Sequence, residues 1–110
     1  MDSNQEKIRS LQQQIMFNRT WDLLSHRWKF YIVWLLGKKS LRFGELRRIC
    51  SAISRVTLTE YLRELEREGF ISRTAADRNT LSSLYSLTGM ARDAQPAVNA
   101  LMAWGQKEEN

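Results

Sequence analysis

Arginine and hydroxyl side chains dominate residues 42–73, which read RFGELRRICSAISRVTLTEYLRELEREGFISR. Guanidinium groups donate hydrogen bonds to phosphate oxygens and to the acceptors of guanine, and hydroxyls contact bases or phosphates. The sequence offers no paired carboxylates, no Cys/His or Ser/His/Asp set and no glycine-rich phosphate loop. The single histidine, His26, has no second metal ligand near it, and one cysteine gives no zinc-ligand set. We therefore expect a polyanion-binding protein with no enzyme activity, no cofactor and no metal site.

Two helices joined by a tight turn are predicted to position these side chains. The first covers residues 43–50, and the second begins after an N-cap at Ser54 and ends before Gly69. Apolar residues at i, i+4 and i+7 direct one face of the second helix toward the core. These residues are Leu58, Leu62 and Leu65. A helix pair of this kind suits insertion into the major groove of DNA.

A β-hairpin wing is predicted directly behind the second helix. Its strand candidates cover residues 70–74 and 81–87, and the turn formers Asp77 and Asn79 lie between them. Residues 40–42 are long enough only for a small strand or a lead-in. Thr88 caps a final helix that runs to about residue 104, and Pro96 predicts a kink or break in it because proline removes a backbone donor.

Two further helices are predicted before the motif. Residues 4–16 are helix-prone, and residues 26–36 form a buried aromatic helix, preceded by a shorter helical turn and ended by Gly37. The predicted fold class is mainly α (α+β): a winged helix-turn-helix with a two-stranded β-wing and N- and C-terminal dimerisation helices. Residues 1–17 are the N-terminal dimerisation helix or arm, 18–87 the DNA-binding domain and 88–110 the C-terminal dimerisation helix.

Length and composition fit one small domain with a polyanionic partner. The chain has 110 residues and a formal net charge of +5, which favours DNA, RNA or an anionic membrane without separating them. No apolar run approaches the roughly 20 residues that cross a bilayer, and the polar N-terminus does not resemble a signal peptide. One cysteine excludes an internal disulfide. We expect a soluble, cytoplasmic protein that does not enter a membrane.

Contacts to double-stranded DNA are predicted from three parts of the chain. Basic residues before and within the first helix of the motif are expected to contact phosphates, namely Lys38, Lys39, Arg42 and Arg47. The N-terminal residues of a recognition helix reach base edges. On that ground we expect Arg55 and Thr59 to contact bases, and the residues that contact bases or phosphates to be Ser54, Thr57 and Arg63. The wing is expected to contribute Arg73 and Arg78.

Several side chains near the motif have two interpretations. Helical geometry turns Val56, Glu60, Arg63 and Arg67 outward, and Glu60 either accepts from a cytosine amine or pairs with a neighbouring arginine. Arg67 lies far along the helix, which indicates a surface position. Cys50 is either a buried small apolar residue or a redox-responsive thiol.

Narrow apolar stripes on the first and last helices predict a homodimer, since exposed stripes at both ends are costly unless they pair. The stripe residues are Ile8, Leu11 and Ile15 in the first helix and Val98, Leu101 and Met102 in the last. A polar arm that frays is the alternative for the first stripe. The four tryptophans either pack in the core and interface or line a ligand pocket between protomers. An effector ligand cannot be named.

An ordered set of residues over 21–105 resembles the HxlR-type family of winged helix-turn-helix regulators, which are related to MarR repressors. The set is Trp28, Arg42-Phe43-x-Glu45-Leu46-Arg47-Arg48, Ile53-Ser54-x-x-x-Leu58-Thr59-x-x-Leu62-Arg63-Glu64-Leu65-Glu66-x-x-Gly69, Arg73, Tyr85-Ser86-Leu87-Thr88, Pro96 and Trp104-Gly105. The resemblance implies a homodimeric, DNA-binding bacterial or archaeal transcription regulator whose dimer is built from its N- and C-terminal helices. Members often carry a sensing cysteine shortly before the central helix, but this chain has none before Cys50.

These observations predict a sequence-specific DNA-binding transcriptional regulator, a repressor in our interpretation, that binds an inverted-repeat operator as a homodimer. The alternative is a winged-helix module that binds proteins and does not read DNA. Such modules often lack a basic recognition helix, whereas this one carries Arg55 and Arg63. RNA binding is disfavoured, because the stacking aromatics expected on an exposed sheet are missing.

Overall fold

A computed structural model describes residues 3–75 and 82–107. Within these ranges the chain forms six helices and three short strands, which confirms the predicted mainly helical α+β class. In chain order they are α1 (Ser3–Leu24), α2 (Arg27–Lys38), β1 (Leu41–Arg42), α3 (Phe43–Ile49), α4 (Arg55–Arg67), β2 (Ile71–Thr74), β3 (Leu84–Leu87), α5 (Gly89–Asp93) and α6 (Gln95–Lys107).

The three strands form one antiparallel sheet in the order β1-β3-β2. β2 pairs with β3 from Ile71 opposite Leu87 to Thr74 opposite Leu84. β1 pairs with the other edge of β3, with Leu41 opposite Tyr85. Both predicted wing strands are therefore present, although residues 82 and 83 are not part of β3. Of the two interpretations of residues 40–42, the small strand is the one observed, at Leu41–Arg42. The predicted turn residues Asp77 and Asn79, the wing arginine Arg78 and the start of the second strand candidate lie outside the described residues.

The core lies where α2, α3 and α4 meet one face of the sheet. The three leucines predicted to face inward from α4 are each at most 1% exposed, which confirms that prediction. They pack in one cluster with apolar side chains from the other elements. The main fully buried members besides those leucines are Ile32, Leu36, Phe43, Leu46 and Ile71.

Two helix boundaries differ from the prediction. α1 continues without interruption from Ser3 to Leu24 instead of ending near residue 16, because this stretch contains no glycine or proline to stop it. α2 continues through Gly37 to Lys38, and the extended backbone of Lys39 ends it. Gly37 is needed for a different reason. A Cβ atom at this position would collide with the end of the Gln95 side chain, so the glycine leaves room for that side chain at the start of α6.

The C-terminal region is interrupted where the proline predicted it. Thr88 caps α5, its Oγ1 accepting from the backbone N–H of Ala91 at 3.3 Å. α5 ends at Asp93, and α6 starts at Gln95 with Pro96 in its first turn. Proline fits there because the first backbone N–H groups of a helix have no partner within the helix.

Candidate DNA-binding interface

Ser54 and Gly69 fix the two ends of α4. Oγ of Ser54 accepts from the backbone N–H of Thr57 at 3.1 Å, which confirms the predicted N-cap. The Ser54 hydroxyl also donates to Oγ1 of Thr57 at 3.0 Å. At the other end Gly69 adopts a φ of 86°, a conformation that side chains disfavour. The Ser54 side chain is thus committed to the helix end, whereas the Thr57 hydroxyl hydrogen remains able to donate to another acceptor.

Arg47 holds the turn between α3 and α4. Its Nη1 atom donates to the carbonyl oxygen of Ile53 at 3.1 Å, and the side chain is half-buried. Cys50 ends α3, and its carbonyl accepts from the N–H of Ile53 at 3.2 Å. A guanidinium has five N–H donors, so this anchor leaves others for a phosphate. Arg47 therefore combines a structural contact with the phosphate contact predicted for it.

Arg42 connects α3 to the wing. Its backbone N–H donates to Oε1 of Glu45 at 2.9 Å, which closes the first turn of α3. Its guanidinium donates to the carbonyl oxygen of Ser82, two residues before β3. Arg42 thereby joins the wing to the helix-turn-helix, and the same residue is predicted to contact a phosphate.

The outward face of α4 is flanked by Arg55 and Thr59, the two residues predicted to contact bases. Val56, Glu60, Arg63 and Arg67 are all exposed, as the helical geometry predicts. Arg55 lies to one side, its guanidinium carbon 5.7 Å from the ring centre of Phe43. This cation–π contact places the guanidinium group of Arg55 near the start of α3.

Thr59 lies on the same flank of α4 as Arg55. Its hydroxyl donates to the carbonyl oxygen of Arg55 at 2.8 Å. The Thr59 methyl group and oxygen lone pairs therefore remain for a base, whereas its hydroxyl proton is already used. Together with Arg55, Val56, Glu60 and Arg63, Thr59 lines a shallow depression along the helix.

Lys29 fixes the C-terminal half of α4 to α2, a contact that the sequence did not reveal. Its Nζ atom lies 2.6 Å from Oε2 of Glu64 and 3.0 Å from Oε1 of Glu68. Burial lowers the pKa of the Lys29 ammonium, but hydrogen bonds to both carboxylates and their charges outweigh burial and raise the pKa. The hydrogen bond from Lys29 lowers the pKa of Glu64. This ion triad orients the helix whose N-terminal half carries the predicted base contacts.

Arg73 lies in the wing, opposite Tyr85 in the sheet. Burial raises the pKa of the Tyr85 phenol, while the charge of Arg73 and a hydrogen bond from it act in the opposite direction. Arg73 is itself exposed. It therefore borders the core at one end and remains accessible to DNA at the other.

Lys38 and Lys39 follow the end of α2. Nζ of Lys38 lies 3.9 Å from the ring centre of Trp34, a cation–π contact within the chain. Lys39 is exposed. Both remain predicted phosphate contacts, and only Lys38 has part of its charge engaged by an aromatic ring.

Cys50 is completely buried, and burial raises the pKa of its thiol. The positive charge of Arg47 opposes this shift without reversing it. Since the thiolate is the reactive form, both features disfavour reaction in the folded chain. His26 caps α2, where its Nδ1 accepts from the N–H of Lys29 at 3.4 Å. No group of three or more metal-ligating side chains occurs in residues 3–75 and 82–107.

The stripe on α1 is exposed, as predicted for an unpaired chain. Ile8, Leu11 and Ile15 are 55%, 59% and 67% exposed. On α6, Leu101 is 45% exposed and Met102 is half-buried. Val98 differs from the prediction: it is 4% exposed because α6 packs on α2 and brings it into the core. The predicted stripe on the last helix therefore loses its first member.

Trp104 extends the exposed surface of α6, and Trp21 extends that of α1, at 63% and 56% exposure. A cavity of about 250 Å³ lies between α1, α2 and α6, with a mostly apolar lining that includes Leu24, Phe30 and Leu101. Among its described lining residues there is no tryptophan. The described helices include none that is both long and apolar enough to cross a bilayer.

Comparison with known proteins identifies the arrangement. Residues 23–110 match the family described as HxlR-like helix-turn-helix. The chain is 32% identical over 96 residues to the HTH-type transcriptional regulator YdzF of Bacillus subtilis. The aligned region covers 86% of this chain and 88% of YdzF. The chain is 33% identical over 105 residues to the HTH-type regulator BH0655 of Halalkalibacterium halodurans, with 94% and 92% coverage.

Solved structures agree with these sequence relatives. The redox regulator HypR in its reduced form superposes with a TM-score of 0.76 at 32% identity and covers 88% of this chain and 94% of its own. A MarR-family regulator from Enterococcus faecalis gives a TM-score of 0.71 at 27% identity, with 87% coverage of both chains. These matches confirm the predicted winged helix-turn-helix fold.

Proposed function

Because the chain belongs to the HxlR-like helix-turn-helix family of DNA-binding transcriptional regulators, a non-enzymatic family, we propose that it represses transcription as a homodimer bound to an inverted-repeat operator. The proposed binding surface consists of the outward face of α4, the turn before it and the wing. We propose that the protein acts on DNA in the cytoplasm.

The observation that carries the proposal is the side-chain arrangement of α4. Its core-facing leucines are buried, while Arg55 at its first position and Arg63 just past its middle are exposed. Arg55 rests on Phe43, and the Lys29 ion triad ties the far end of the helix to α2. A recognition helix held at both ends loses little freedom when it enters a groove, which favours binding. Phosphate contacts from Lys38, Lys39, Arg42, Arg47 and Arg73 supply the salt-dependent part of the affinity.

Dimerisation is proposed from the exposed apolar residues of α1. Six large apolar side chains of this helix between Ile8 and Trp21 are more than half exposed. Three of them, Ile8, Leu11 and Ile15, lie along one face of the helix, and an exposed apolar stripe of that kind on a small protein marks an interaction site. With Leu101 and Trp104 of α6 exposed as well, both ends of the chain offer surface for a second copy. Val98 is left out of the proposed interface, since it is already buried.

The decisive experiment is selection from a randomised duplex pool at two salt concentrations, followed by sequencing. In a dimer, two recognition helices about 34 Å apart read half-sites one DNA turn apart, so an enriched inverted repeat is expected. Salt-sensitive binding without an enriched motif would contradict sequence reading. Absence of binding at low salt would instead favour the protein-interaction module. Repression itself is tested by placing the selected operator over a reporter promoter, where loss of expression is expected.

A further inference from the structure

Two side chains on the outward stripe of α4 have no partner within the described part of the chain. Val56 is 67% exposed, the same exposure as Ile15 on the proposed dimer helix. Glu60, one turn later, is exposed and forms no ion pair or hydrogen bond with any described residue. The alternative that Glu60 pairs with a neighbouring arginine is therefore not realised, although Arg63 lies three residues away.

Each of these side chains is unfavourable for contact with a phosphate backbone. Valine has no donor, and a carboxylate repels phosphate groups. Both nevertheless lie in the N-terminal half of the recognition helix, the part that reaches base edges. In that position a carboxylate contributes to binding only if a base offers it a hydrogen-bond donor. The two exposed methyl groups of valine contribute only if they pack against an apolar group of a base. The major groove offers both: the N4 amine of cytosine donates, and the C5-methyl of thymine is apolar.

We propose that Val56 and Glu60 determine operator specificity together: Val56 packs on the methyl of a thymine, and Glu60 accepts a hydrogen bond from the N4 amine of a nearby cytosine. Four residues of helix advance by about 6 Å, which is less than two steps of about 3.4 Å between base pairs. The two bases therefore belong to adjacent base pairs or to base pairs separated by one other. This inference rests on the proposed function, because it assigns bases within the operator of that same site.

The thymine contact is tested by replacing single thymines with uracils in the operator selected by the unaltered protein. Uracil lacks only the methyl group, so phosphate contacts and base pairing remain. Replacement of one particular thymine is expected to weaken binding about fourfold, which corresponds to the free energy of burying one methyl-sized group. The Val56→Ala protein should bind the thymine and uracil duplexes equally well. If no thymine position responds, or if Val56→Ala keeps the response, the thymine assignment is wrong.

The cytosine contact is tested by repeating the selection with Glu60→Gln. Glutamine pairs with adenine, so one cytosine of the motif is expected to change to adenine, and affinity for the original operator should fall about tenfold. The matched control is Glu66→Gln, which removes the same charge from the same helix nearer its C-terminus. If Glu60 instead meets only solvent or the DNA backbone, removing its charge should act like removing that of Glu66. Both variants would then bind every sequence more tightly by the same factor, with an unchanged motif, and the cytosine assignment would be wrong.

The salt dependence gives an independent readout. The slope of log affinity against log salt concentration reports phosphate contacts, so Val56→Ala should leave it unchanged. Thermal unfolding of each variant separates lost folding from lost recognition. If the unaltered protein enriches a motif that neither variant alters, this inference fails while the proposed function stands. If the unaltered protein enriches no motif, the proposed function fails and the inference with it.

Discussion

Removing the positive charge of the Lys29 ion triad should reduce the free energy of unfolding less than removing its two negative charges. The Lys29 side chain is 10% exposed, whereas those of Glu64 and Glu68 are 41% and 40% exposed. Lys29→Met leaves two carboxylates that water can reach, so the expected loss of unfolding free energy is only about 1 kcal/mol. The double variant Glu64→Gln, Glu68→Gln leaves a buried ammonium without counter-ions. We expect it to cost about 2–3 kcal/mol.

Urea denaturation followed by tryptophan fluorescence measures both losses from the transition midpoint, provided that the slope m stays constant. Glu66→Gln is the control, because it removes a carboxylate from the same helix without touching Lys29. The reasoning is refuted if Lys29→Met is as destabilising as the double variant. That result would mean that packing of the lysine stem, and not desolvation of the ammonium, dominates.

The pH dependence of the triad has a definite sign. The hydrogen bond from Lys29 lowers the pKa of Glu64, with smaller contributions from nearby positive charges. Its stabilisation is therefore complete above the unfolded value of about 4.3 and is lost as pH falls through the lower folded value. The pKa of Lys29 is raised, so its stabilisation is complete below about 10.4 and is lost above the folded value. A Lys29–Glu64 double-mutant cycle should show full coupling at neutral pH and a decline toward both extremes.

Three other predictions concern the turn, the thiol and the helix contact at Gly37. Arg47→Ala should lower stability by about 1 kcal/mol through loss of its bond to Ile53, whereas Arg48→Ala, which removes the same charge from an exposed position, should not; thermal melts compare them. Cys50 should resist alkylation in the native protein and react only at the rate of unfolding, and rapid labelling without unfolding would contradict its burial. Gly37→Ala should destabilise the native chain but not the Gln95→Ala chain, because the added Cβ displaces the Gln95 side chain from its bond to Ala91.

Short-range rules predicted the motif well, because its signals lie within one helix. The spacing of the leucines fixes the inner face of α4, while Ser54 and Gly69 define its ends through backbone hydrogen bonding and a positive φ. The break near Pro96 follows from the missing N–H of proline. These effects depend on neighbours three or four residues away, so the sequence contains all the information needed.

Contacts between distant elements could not be predicted in this way. Lys29 meets Glu64 and Glu68 across 35 and 39 positions, and nothing in an aromatic-rich helix indicates which lysine faces them. Val98 was misassigned to an exposed stripe because its burial depends on how α6 packs on α2 after the break. Gly37 was interpreted as a helix stop for the same reason: its function depends on Gln95, 58 positions later.

The structure also changes how the basic residues of the interface are understood. Arg42 and Arg47 each donate to a backbone carbonyl of the chain itself, at Ser82 and Ile53. Such anchors do not remove them from phosphate binding, because each guanidinium keeps further donors. They restrict the rotamers of long side chains before DNA arrives, and ordering such a side chain costs about 0.5–1.5 kcal/mol on binding. The anchored arginines should therefore contribute more affinity than exposed Lys39, although all three carry the same charge. Equal losses for Arg47→Gln and Lys39→Gln, measured at matched stability, would show that charge alone decides.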